Sequence, residues 1–140
     1  MKLTNNMRSK LAEKICLGWI RKSKTRVAVP KVYVVWRSSR GQSDVWGRAY
    51  QSQRRIILHL GVKSSYKEWL IILAHEFAHI FDYATTPPRW KALRRPHGDR
   101  FQILLWRFVP KTMWAIASTG RWAVGSSRHL PQYQHVTAEV

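Results

Sequence analysis

The chain has 140 residues, the usual size of one domain, and at that length folding buries roughly two thirds of the surface the unfolded chain exposes, so a core needs neither disulfides nor an obligate partner. Its 25 Lys and Arg against 7 Asp and Glu give a formal net charge of +18, spread along the chain rather than gathered in a tail, which points to a polyanionic neighbour, nucleic acid before an anionic membrane surface. The single Cys16 excludes an internal disulfide and a CxxC pair, in keeping with a reducing, cytoplasmic setting. Lys10, Glu13 and Lys14 interrupt the apolar character of the first 20 residues, so no signal peptide is expected. The longest apolar run, residues 69–74, is far short of the roughly 20 residues of a membrane span, and no membrane partner is expected.

In chain order, Leu3, Met7, Leu11, Ile15 and Trp19 recur at four-residue steps with Lys and Arg between them, which predicts an amphipathic helix over 3–20 with a basic outer face. RKSKTR at 21–26 reads as a polar link. The β-branched and aromatic stretch that follows predicts a strand at 31–37, with Pro30 at its edge. SSRGQSD at 38–44 reads as a turn, VWGRAY as a short second strand, and RRIILHL as a third closed by Gly61. Ser65 and Glu68 have capping-box spacing directly before an apolar run, so a helix is expected from there to about Tyr83. That helix is apolar nearly all round and therefore buried, which makes His75, Glu76 and His79 inside it unfavourable unless something satisfies them. Pro87 and Pro88 end it. A further helix is expected from about His97 to Val109, stopped by Pro110, then a short helix and a loose tail. The expected fold class is α+β, with residues 1–110 as the domain and 111–140 as an extension.

HEFAH at 75–79 is an H-E-x-x-H pattern on the buried helix. Residues four apart lie about 40° apart around a helix and one turn along it, so His75 and His79 can share a metal ion. Glu76 is poorly aligned as a third ligand but well placed as a base. A catalytic zinc wants three protein ligands and an open position. No Glu lies between Phe77 and Ala138, and Thr85 stands where a metzincin has His, which leaves His97, Asp99, His129 and His135 as candidates. His97 is favoured, because in HGDRF it opens a predicted helix, with Gly98 to turn the backbone and Phe101 to anchor it. Asp82, seven residues from His75, either holds a ligand imidazole from behind or pairs with one of the many arginines.

HEFAH at 75–79, HGDRF at 97–101 and the strand pair GRAYQSQRRIILHL at 47–60, in the order helix, three strands, HExxH helix, later helix, resemble the SprT-like zinc metalloprotease domain, the group of bacterial SprT and the Spartan DNA-protein crosslink proteases. The resemblance covers roughly residues 5–109. It implies a zincin-like fold in which His75, His79 and His97 bind Zn2+ and Glu76 is the catalytic base. The cysteines of the C-terminal zinc ribbon of many relatives are absent, and the chain's length is similar to that of compact phage or mobile-element versions.

The expected activity is therefore zinc-dependent peptide hydrolysis, with an extended substrate paired to the sheet edge at 47–53 and DNA-bound protein as the first substrate class. Arg21, Lys22, Lys24, Arg26, Arg54, Arg55, Arg94 and Arg95 are the candidate backbone contacts, with Trp36, Trp46, Trp90 or Trp122 as possible stacking surfaces. The rival reading is a non-catalytic nucleic-acid-binding protein with a structural zinc site.

Overall fold

The computed structural model describes residues 4–36, 47–60, 66–93, 95 and 97–117. Helix α1 (Asn5–Ser23) is followed by strands β1 (Lys31–Trp36), β2 (Gly47–Tyr50) and β3 (Arg55–Leu60), then α2 (Tyr66–Thr85), a 3-10 turn at Pro88–Leu93, α3 (Asp99–Phe108), a second 3-10 turn at Lys111–Met113 and the short α4 (Trp114–Ala117). The α+β class, the three strands and the two later helices agree with expectation. The expected turn at 38–44, Gly61, Ser65 and the tail from 118 lie outside the described residues.

The sheet has the order β1-β3-β2. β2 and β3 form an antiparallel hairpin, while β1 runs parallel to β3 on its other side. Strand alternation then sorts the side chains. Val32 and Val34 align with Ile56 and Leu58, and Ala49 and Gly47 align with the same two β3 residues, so these six share the face that packs against the helices. Tyr33 and Val35, on the opposite face, are exposed.

α1 differs from its sequence reading in two ways. It runs three residues further, because Arg21, Lys22 and Ser23 continue the helix and Lys24 closes it in a left-handed conformation. Its fully buried stripe is Ala12, Cys16 and Ile20, one position on from the expected one, with Leu11, Ile15 and Trp19 flanking it and Met7 exposed. Small side chains at the centre of the stripe let α1 lie close on β1, where Ser9 Oγ accepts the Val34 backbone N–H at 3.1 Å.

α2 is the axis of the domain. Every residue from Trp69 to Asp82 is buried except His75, which is intermediate. It packs on β2, β3 and α3, and an aromatic cluster of Trp19, Phe77, Phe81 and Phe108 ties it to α1 and α3, with ring centroids 4.9 Å apart for Phe77 and Phe108. Burial of this kind is the main stabilising term, at roughly 25 cal/mol per Å² of apolar surface. Among the described residues no helix is long and apolar enough to cross a membrane.

Candidate metal centre

The burial of α2 fixes where its polar residues point. His75 and His79, one turn apart, project from the same side, and His97 reaches them from the turn that precedes α3. His97 Nε2 lies 3.0 Å from His79 Nε2 and 3.3 Å from His75 Nε2. The three imidazoles offer nitrogen ligand atoms that all fall within 4.8 Å of one another, close enough to bind one metal ion. Two nitrogens held by a tetrahedral ion at about 2.0–2.1 Å stand about 3.3 Å apart, so the spacing fits such an ion. Three neutral imidazoles form a donor set suited to a transition metal, and they leave a fourth position open.

Phe101 is the floor of the site. Its fully buried ring stacks on His79 at 4.3 Å and meets the edges of His97 and His75 at 4.9 and 5.1 Å. The expectation that Phe101 anchors α3 is met. Its contact with all three imidazoles goes beyond the sequence reading, because it depends on α3 crossing α2 at the histidine turn.

His97 does not open a helix. It sits two residues before α3, in a left-handed conformation with φ of 63°, while Gly98 has an ordinary φ of −74° and caps the helix. The turn is therefore made by the histidine itself. Glycine at 98 serves close approach instead, since a Cβ there would lie 3.0 Å from the Arg95 carbonyl oxygen. The His97 carbonyl accepts the Gln102 side-chain amide at 3.4 Å, which fixes the left-handed residue from α3. Partial burial lowers the His97 pKa from its usual value by desolvation, the direction that favours the neutral ring a metal requires.

Glu76 is buried beside this cluster, under the sheet edge. Gly47 of β2 comes so close that a Cβ there would stand 2.9 Å from Glu76 Cγ and 3.0 Å from Ile72. Burial pushes the Glu76 carboxyl up to about 7, with the Arg48 charge pulling the other way. A carboxyl tuned to that range exchanges protons readily near neutrality. β2 lies at one edge of the sheet, so the expectation of an edge strand here is met for residues 47–50, and Gln51, Ser52 and Gln53 belong to the hairpin turn.

Asp82 pairs with an arginine, as one of its two expected roles has it. Its carboxylate, almost fully buried, pairs with Arg100 Nε at 3.0 Å. Arg100 also donates to Thr85 Oγ1, which in turn donates to the Phe81 carbonyl at 2.7 Å. These bonds lash the first turn of α3 to the last turn of α2, and so hold His97 over His75 and His79. Asp99 is outside the histidine cluster, and His129 and His135 lie outside the described residues.

The basic candidates separate into groups. Arg21, Lys24, Arg26 and Arg54 line one cavity, joined by Thr25, Val27 and Ala84. Lys22 faces a different recess, with Trp19, Arg107 and Phe108. Arg55 is half-buried with its guanidinium 4.5 Å over the Tyr50 ring, a packing role within the hairpin. Arg95 lines a cavity of about 500 Å³ beside the metal centre with Asp82, Trp90 and Arg100. Trp90 is exposed, whereas Arg94, Trp46, Trp122 and the Trp36 side chain lie outside the described residues. No family model, curated protein or solved structure matches the chain.

Proposed function

We propose that the protein is a zinc-dependent metallopeptidase of the SprT-like, zincin type that acts on proteins held on DNA. The observation that carries this reading is the convergence of His75, His79 and His97 on one point, with Glu76 buried next to them and covered by the edge strand. A purely structural site calls for no carboxyl at that position, and burying one is unfavourable unless it is used.

The three histidines are the zinc ligands in this proposal. Zinc bound there supplies a Lewis acid that makes water acidic and polarises a carbonyl. Glu76, as carboxylate, takes the proton of the attacking water and passes it to the departing amine, two transfers for which a pKa near 7 is suited. The outer edge of β2, which pairs with no other strand among the described residues, accepts an extended substrate segment by main-chain hydrogen bonds, which favours a broad specificity. Arg48, on the same strand and close enough to act on Glu76, favours its charged form. The net charge of +18 concentrates the protein on DNA, and proteins bound to that polymer become its preferred substrates.

The test is Glu76→Gln, assayed on a DNA-bound protein and on a casein-like unfolded substrate. Zinc and DNA binding persist in the variant and cleavage falls at least about a hundredfold, as expected for loss of a general base. Cleavage that survives the substitution contradicts the mechanism, and a wild-type chain that binds zinc and DNA but cleaves neither substrate favours the non-catalytic alternative.

A further inference from the structure

Three described non-glycine residues have left-handed backbones: His97, Lys24 and Arg54, with φ of 63°, 58° and 52°. The first is in the metal centre. The other two, one after α1 and one directly before β3, line the same cavity, of about 520 Å³, together with Arg21 and Arg26. Lys24 follows α1 at the position where helices most often end in glycine, and Arg54 closes the β2–β3 turn where glycine is again the unstrained choice. At both positions the chain carries a long cation against the backbone preference. Strained residues of this sort persist only where the surrounding structure holds them, and they cluster at ligand sites.

The cavity is also rigidly built. Ser23 Oγ donates to the Ile20 carbonyl at 2.6 Å and accepts the Thr25 backbone N–H at 3.2 Å, while the Arg54 carbonyl accepts the Lys31 N–H at 3.0 Å. Both cation-bearing turns are thereby pinned to α1 and β1. Among the described residues no acidic side chain lines the cavity; its other walls are Ile20, Val27, Ala28 and Ala84 with Thr25. Four cations with aliphatic walls and no carboxylate suit a chain of phosphates.

We propose that this cavity is a binding site for the phosphodiester backbone of a nucleic acid. It deepens the DNA-binding part of the proposed function and is independent of the peptidase part. Ala84 in the last turn of α2 lies five residues beyond His79 and nine beyond His75, which is about 7 to 14 Å along the helix and about 140° to 180° around it. The backbone would thus run behind α2, opposite the histidines, and leave the metal centre clear for a polypeptide bound to the same strand.

Lys24→Gly/Arg54→Gly tests the site, because glycine relieves both left-handed turns while removing two cations. In the full chain carrying Glu76→Gln, binding of a labelled mixed-sequence oligonucleotide is titrated between about 50 and 200 mM salt. The pair raises Kd about tenfold or more and lowers the slope of log affinity against log salt by about 1.5, as two lost phosphate contacts require. Melting temperature stays within a few degrees of the parent. Arg21→Gln/Arg26→Gln, whose backbones are unstrained, reproduces the loss should the glycine pair fold poorly. Lys10→Gln/Lys67→Gln removes the same charge from exposed positions outside the cavity and shifts Kd less than about twofold. Binding by the cavity pairs that matches this control overturns the proposal. So does a cavity pair that loses inorganic tripolyphosphate, titrated separately, while holding the oligonucleotide as before, since the site then takes a small polyphosphate. Failure of the Glu76 cleavage test alone leaves these outcomes unchanged.

Discussion

Gly47 and Glu76 face each other across the interface between β2 and α2, so closely that a Cβ at 47 would meet Glu76 Cγ at 2.9 Å. One glycine thus sets the position of the carboxyl next to the metal centre. The nearest atoms are side chains, so Gly47→Ala folds by moving Glu76 and Ile72. A displacement of even about 1 Å at a catalytic group lowers turnover by about a hundredfold. With Glu76 as the proposed base, the variant is expected to keep its full metal content and lose kcat by about ten- to a hundredfold; steady-state kinetics beside metal analysis check this, and unchanged kcat would mean that Glu76 position is not critical.

Arg100, outside the three-histidine cluster, ties the start of α3 to α2 through Asp82 and Thr85. Arg100→Leu removes the guanidinium from the buried Asp82 and from Thr85. Since Arg100 is itself half-exposed, the loss of stability is expected at about 1 to 3 kcal/mol, below that of a fully buried pair. Metal affinity falls about tenfold although every ligand remains, as for other partners that hold ligands in position. Chemical denaturation and competitive chelation measure the two effects. Lowered stability with unaltered affinity would confine Arg100 to a packing role.

The buried Glu76 carboxyl also gives the metal-free protein a pH dependence of known sign. Its pKa rises from 4.5 to about 7 on folding. Below 4.5 both states hold the proton and the group is neutral to stability; as pH rises to about 7 the unfolded chain gives up its proton first, so stability is progressively lost. The full difference is at most about 3 kcal/mol. Glu76→Gln has no such loss, and subtracting its urea unfolding profile from the wild type cancels the histidine contributions. The wild type should weaken relative to the variant across this range. A flat difference would show that the carboxyl is not desolvated.

The elements that the sequence made plain are those whose signal is local. Runs of β-branched residues marked β1 and β3, the apolar stretch before HEFAH marked α2, and Pro87 marked its end. The meeting of His75 and His79 follows from helical spacing, and HGDRF pointed to His97. What the sequence hid depends on distant contacts. Polarity at 21–26 suggested a link, although Arg and Lys are good helix formers and α1 continues to Ser23. Gly98 looked like the residue that turns the backbone, yet nothing local shows that His97 takes the left-handed conformation. The contact of Gly47 with Glu76 and the meeting of Lys24 with Arg54 arise only when strand order and helix packing bring residues some thirty positions apart together.

Three imidazoles lie close enough to bind one metal ion, and whether they do decides everything built on the site. Metal content of chain purified without a metal-binding tag and offered zinc, beside His75→Ala, His79→Ala and His97→Ala, tests it most directly. About one zinc per chain is expected in the wild type, and its loss in each variant, since each removes one of three ligands. Retention in His97→Ala would move the third ligand elsewhere, and a wild-type chain that takes up no metal would contradict the account.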